Sequence, residues 1–309
     1  MRTWHARWWW LLFAILLLLP LAIPGCDEES DDDVQLQAIL NGIQEVPPVI
    51  ATDADGFGEV TLPGSGEFID ATLQVSGVSG TVTAAHIHYG RPGEEGPILF
   101  TLFDAATDGA FPGEVSGRFT AADLEPQPPG SPVESFAEAV RAIREGNAYF
   151  NVRTTENPDG EIRGQIGARY FAADLTGARV VPPVFTTADG VASAVINRRN
   201  NVIGVGVATE DLADENVTAI RIHYGALGED GPVLFTIFDI ETSGTYTGSV
   251  NAVLTSANLA TPPFGSPVAT FRDAVEAMIL GKTYISVETT TNPDGEVRGQ
   301  FTRYTVRSK

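Results

Sequence analysis

Asn157-Pro158-Asp159-Gly160-Glu161-Ile162-Arg163-Gly164-Gln165 joins a tight turn to a short alternating strand, and its first five residues return unchanged as Asn292-Pro293-Asp294-Gly295-Glu296. Pro158 suits the second turn position, where φ is held at about −65°, and Gly160 tolerates the positive φ of a hairpin bulge. Working outward, Val46-Pro47-Pro48-Val49 recurs as Val181-Pro182-Pro183-Val184, and His88-Tyr89-Gly90 as His223-Tyr224-Gly225. Gly96-Pro97 with Leu99-Phe100-Thr101 recurs as Gly231-Pro232 with Leu234-Phe235-Thr236, and Gly130-Ser131-Pro132-Val133 as Gly265-Ser266-Pro267-Val268. Every pair keeps one offset of 135 residues, as from 157 to 292, so the chain is a tandem duplication. Copy 1 spans about 34–168 and copy 2 about 169–305. No Pro/Ser-rich linker parts them, which predicts two domains held close together.

Apolar alternation of period two runs through each copy. In copy 1 it predicts strands near 35–40, 57–62, 67–76, 81–89, 97–103, 112–119, 148–155 and 161–169, separated by turns such as Gly64-Ser65-Gly66 and Arg91-Pro92-Gly93. One helix interrupts the pattern. Ser131 reads as its N-cap, Pro132 as its first position and Glu134 as the capping-box partner. Val133, Phe136, Ala137, Val140 and Ile143 form its apolar stripe, and Gly146 stops it. Copy 2 repeats this from Ser266 to Gly281, with Phe271, Val275 and Ile279 on the stripe. The expected fold is therefore all-β: two tandem β-sandwich domains, each with one inserted helix.

Three features together resemble the CHRD (chordin-type) family. These are the Gln44-Glu45-Val46-Pro47-Pro48-Val49 opening, the His86-Ile87-His88 strand, and the closing run from Tyr149 and Asn151 through Asn157 to Gln165. The resemblance covers nearly all of each copy. It implies an extracellular β-rich module with no established catalytic activity; extending morphogen inhibition to this chain would rest on fold analogy alone.

The N-terminus reads as an address. Arg2 and Arg7 precede an apolar run over residues 8–19, and small residues lead to Cys26, the pattern of an export signal over residues 1–25. Leu21-Ala22-Ile23-Pro24-Gly25-Cys26 resembles a bacterial lipobox, with Pro24 departing from the usual small or hydroxylated residue. That resemblance implies lipidation at Cys26, and Asp27 after it implies inner-membrane retention in some Gram-negative bacteria. An uncleaved signal anchor is the alternative; both put the rest of the chain outside the cytoplasm, in the cell envelope. Residues 26–33, with the run Asp27-Glu28-Glu29-Ser30-Asp31-Asp32-Asp33, read as an extended acidic tether.

Cys26 is the only cysteine, so no disulfide staples either copy. The net charge is −21, and removing residues 1–25 takes away Arg2 and Arg7 to leave −23. Such a field repels phosphate backbones and excludes nucleic-acid binding.

Candidate chemistry is sparse. His86 and His88 sit two apart on one strand and share a face, an element of zinc and copper sites. Ala85, Ile87 and Tyr89 form the opposite face, which reads as core. The family resemblance implies a third histidine where this chain has Arg153 and Glu288; a guanidinium there repels a cation. Copy 1 thus offers His86, His88 and Arg153, and copy 2 offers Arg221, His223 and Glu288. The favoured reading is a structural polar cluster with no cofactor, in which Arg221 and Glu288 form a cross-strand ion pair in place of imidazoles. Glu161 with Arg163, and Glu296 with Arg298, also alternate along one strand, which predicts a salt bridge or a backbone clamp; Glu94-Glu95 and Glu229-Asp230 read as solvated acidic tips. The expected function is a non-catalytic, lipid-anchored extracytoplasmic module binding an unknown protein or glycan. The alternatives are a dismutase-like metal-dependent redox protein using His86 and His88, and a carbohydrate or matrix adhesin using exposed aromatics such as Tyr89 and Tyr224.

Overall fold

A computed structural model of the chain describes residues 33–49, 51–212 and 217–304. The signal segment, Cys26 and the tether up to Asp32 lie outside the described residues. Copy 1 forms one antiparallel sheet of eight strands: β1 (Val34–Asn41), β2 (Asp55–Leu62), β3 (Ile69–Ser76), β4 (Val82–Tyr89), β5 (Ile98–Asp104), β6 (Glu114–Phe119), β7 (Ala148–Thr154) and β8 (Ile162–Gln165). Their order is β5-β4-β7-β8-β1-β2-β3-β6. The sheet curls until its two edges nearly meet, with Phe100 of β5 and Phe119 of β6 bringing their ring centroids within 5.2 Å.

Copy 2 repeats the plan with β9 (Arg169–Thr176), β10 (Asp189–Ile196), β11 (Ile203–Glu210), β12 (Val217–Tyr224), β13 (Val233–Asp239), β14 (Ser249–Leu254), β15 (Thr283–Thr289) and β16 (Val297–Gln300). The order is β13-β12-β15-β16-β9-β10-β11-β14, and β17 (Thr302–Arg303) adds to β9. Alternation sends Leu36, Leu40, Leu73 and Ile87 into the first core and Leu175, Val205 and Ile222 into the second, each core a cluster of its own.

Two sequence expectations need correction. The helix of copy 1, α2 (Phe136–Glu145), follows the one-turn α1 (Ala105–Asp108) and starts later than Ser131. Its N-cap is Ser135, whose backbone is extended at φ −142° and ψ 159° and whose Oγ accepts from the Glu138 N–H. Ser131 instead accepts the Val133 N–H at 3.2 Å, and Ala137 faces solvent rather than the core. In copy 2, after α3 (Ile240–Ser243), α4 (Phe271–Ile279) is capped by Thr270 and Asp273 in a full capping box. The final strand of copy 1 also closes early, at Gln165, and Arg169 opens β9.

The copies differ on their outer faces. On β3 the outward residues are Asp70, Thr72 and Gln74; Asp70 pairs with Arg118 across the β3–β6 ladder. The equivalent residues on β11 are Gly204, Gly206 and Ala208, so this strand is buried on both faces until Glu210. What covers it is copy 1. A Cβ on Gly204 would stand 2.5 Å from the Pro92 carbonyl carbon, and one on Gly206 would stand 2.4 Å from the Ile43 oxygen. Asn251 on the next strand donates to the Glu45 backbone oxygen at 2.8 Å, and Arg199 pairs with Glu145 at 2.6 Å. Two loops of copy 1, residues 42–49 and 90–94, thus form a head seated on the stripped outer face of β10, β11 and β14.

Candidate functional site

Strands β4, β7 and β8 lie side by side, and their register sets the polar face. His88 is opposite Tyr149 and His86 opposite Asn151; beyond them Gln165 is opposite Tyr149 and Arg163 opposite Asn151. The result is a three-layer stack. The His88 and Tyr149 rings lie 5.0 Å apart at 13°, and the Arg163 guanidinium sits 3.5 Å from the Tyr149 ring centre. Copy 2 builds the same stack from His223, Tyr284 and Arg298, at 4.8 Å, 9° and 3.5 Å.

Each stack grips loops. The Gly96 N–H donates to the Tyr149 hydroxyl at 3.2 Å, and His88 Nδ1 donates to the Gly96 carbonyl at 2.9 Å, since a carbonyl only accepts. Gly231, Tyr284 and His223 repeat both bonds at 3.2 and 3.0 Å. Gln165 Nε2 donates to Gly90 and Gly146, as Gln300 does to Gly225 and Gly281. Arg163 donates to the Arg91 oxygen at 2.9 Å, while Arg298 donates to the Glu229 oxygen and pairs with Asp230 at 2.8 Å. The Glu229-Asp230 tip is exposed to solvent and at the same time anchored by Arg298.

Glu161 does not pair with Arg163 among the described residues. Its fully buried carboxylate accepts from the Thr52 hydroxyl at 2.5 Å, the Thr154 hydroxyl at 2.7 Å and the Ser79 N–H at 2.8 Å. Desolvation is the largest single influence on this carboxyl and raises its pKa, but these donors together outweigh it and hold it below the usual range. Glu296 is held by Thr289 and Asn292 in the same way, its pKa also lowered as hydrogen bonds outweigh desolvation. Both glutamates are turn clamps.

The copies part company at the remaining positions. In copy 2, Arg221 and Glu288 form an ion pair, with Asp239 3.8 Å from the same guanidinium. In copy 1, His86 and His88 are buried at 7% and 5% exposure, their centroids 5.5 Å apart and nearly perpendicular. Burial pushes both down to about 4, helped at each by the Arg153 charge. His86 Nδ1, His88 Nε2, Asn151 Oδ1 and Arg153 Nε are all buried without a hydrogen-bond partner. Glu45, opposite them, accepts from Asn151 Nδ2 at 2.9 Å, and burial pushes its carboxyl up to about 8 against the opposing pull of Arg163 and Arg153. Gly160 leaves the room for this contact, since a Cβ there would stand 2.4 Å from Asn151 Nδ2 and 2.8 Å from Glu45 Oε1.

Two imidazoles with free nitrogens are a start for a metal, yet among the described residues no three His, Cys, Asp or Glu side chains converge to hold one. Tyr89 and Tyr224, expected as exposed aromatics, are half-buried against the two cores because they end the inward-facing rows of β4 and β12. Sequence reasoning gave no role to Glu45, Asn151 or the glutamines. The recurrence of Gln165 as Gln300 was a usable signal; Glu45 lacks that recurrence, because its counterpart is Val180.

Comparison with known proteins gives a matching outline. The CHRD domain family matches twice, over residues 36–166 and 171–301. The chain is also 24% identical over 286 residues to chordin of Xenopus laevis, an alignment that covers 86% of this chain and 26% of that protein. The chain therefore spans about a quarter of that relative's length.

Proposed function

We propose, because the chain belongs to the CHRD family as two of its domains in tandem, that it is a non-catalytic binding module, lipid-anchored at Cys26 on the outer side of a membrane. The observation that carries this reading is the double occurrence of the His–Tyr–Arg stack. The chemistry-bearing side chains common to both copies are engaged in holding backbone loops, the work of a scaffold that displays surfaces. Among the described residues no helix is long and apolar enough to cross a membrane. A photo-activatable residue placed in turn at exposed loop positions of the full chain on intact cells should yield discrete adducts with an extracytoplasmic protein. No adduct from any loop would refute the binding reading.

Lipid attachment has its own test. Cys26→Ser should abolish acyl labelling and leave the chain at precursor mass; unchanged labelling would remove the anchor. The domain boundaries are tested by cutting between the copies. Fragments 34–168 and 169–305 should each unfold in one cooperative step, since each holds a complete sheet and its own core. A fragment that is unfolded alone, while the whole chain is folded, would show that the copies share one folding unit.

A further inference from the structure

The head of copy 1 is seated on copy 2, and copy 2 carries a head of the same build whose apolar side chains are left exposed among the described residues. Both heads open with a turn of 3-10 helix, Gly42–Gln44 and Gly177–Arg179. In both, a valine N–H closes back onto the glycine carbonyl at 2.9 Å, Val49 to Gly42 and Val184 to Gly177. Pro92, buried under copy 2, is matched by Leu227, which is 75% exposed; Val181 and Phe185 on the paired loop are 36% and 105% exposed. Beside Phe185, where its loop leads into β10, runs a shallow groove of about 640 Å³ lined in part by Ala178 and Asp189. Exposed apolar side chains gathered on one loop pair mark a contact surface.

We propose that this head, residues 177–185 and 225–228, docks the outer sheet face of a further domain of the same fold on another polypeptide, a face stripped to glycine as β11 is. The intramolecular contact shows what such a head accepts. It lies flat on backbone, so Gly204 and Gly206 have no side chain to intrude. A second copy of this chain is a poor occupant. Its copy 2 face is already covered, and its copy 1 face carries Glu59, the Asp70–Arg118 pair and the Gln74–Glu114 hydrogen bond, which would be desolvated against leucine and phenylalanine. The inference rests on the binding-module reading but can fail alone: cross-links from other loops would leave that reading standing.

Two full-length probes supply a free stripped face. In the first, Glu59→Ser, Thr61→Val, Asp70→Gly, Thr72→Gly, Gln74→Ala, Glu114→Ser, Ser116→Asn and Arg118→Val give β2, β3 and β6 of copy 1 the outward residues of β10, β11 and β14. In the second, Pro92→Asp with Ile43→Asp unseats copy 1 and uncovers β11. The unmodified chain should sediment as a monomer. Either probe, alone or mixed with the unmodified chain, should reach roughly twice the monomer mass or more, because a head-to-face contact does not close. Adding Leu227→Asp should return it to monomer. Monomeric behaviour of both probes, assembly indifferent to Leu227→Asp, or self-assembly of the unmodified chain would each overturn the proposal.

Discussion

The chain is expected to be most stable near pH 6.5 and to weaken toward pH 8, and Glu45→Gln is expected to abolish the weakening. Glu45 is a carboxyl whose folded pKa, about 8, lies above the 4.5 of the unfolded chain. Such a group stabilises fully below the lower value and loses that contribution as pH rises through the upper one. His86 and His88 act oppositely: with folded values near 4 against 6.5 unfolded, their contribution is present above 6.5 and is lost as pH falls toward 4. Between 4.5 and 6.5 two imidazoles outweigh one carboxyl, and above 6.5 the carboxyl acts alone. The full span for Glu45 is on the order of 5 kcal/mol, of which about 2 kcal/mol falls between pH 6.5 and 8. Urea unfolding at pH 6.5 and 8 should show that loss in the native chain and not in Glu45→Gln. Equal losses in both would mean that Glu45 ionises in the fold without penalty.

Gly204→Arg should unseat the two copies. The new side chain would have to displace the Pro92 backbone, not a flexible chain end, so the cost is about 1–3 kcal/mol and falls on the contact between copies rather than on either core. Thermal unfolding should broaden or split, and hydrogen exchange should quicken at residues 42–49. Asp70→Gly, the equivalent position in copy 1, breaks an exposed ion pair with Arg118 and should leave hydrogen exchange at residues 42–49 unchanged. Matching effects of the two substitutions would refute a seat specific to copy 2.

These expectations also mark where the sequence was legible. Period-two alternation and the duplicated Asn-Pro-Asp-Gly-Glu turns are local signals, and they locate eight strands per copy to within a few residues. Helix entry was misplaced because Ser131 and Ser135 both precede an acidic residue three positions on, and what separates them is that Ser131 turns its hydroxyl to the Val133 N–H while Ser135 turns its own to Glu138. The glycines that seat one copy on the other carried no local signal: Gly204 and Gly206 gain their meaning only when the head of copy 1 lies across them. The Glu45 carboxyl depends likewise on Asn151 of β7, a contact more than a hundred residues away in sequence. Exchange of His86 for Arg221 alongside Arg153 for Glu288 was readable, because both partners changed together between the copies.

Metal content tests most directly whether the polar face is a scaffold or a reaction centre. The full chain, purified without chelator and then dialysed against copper or zinc, should retain far less than one equivalent by mass spectrometry. Arg153 sits beside the free His86 and His88 nitrogens, and the described residues offer no third ligand. One firmly held equivalent, lost in His86→Ala, would contradict the scaffold reading and make copy 1 a metal centre.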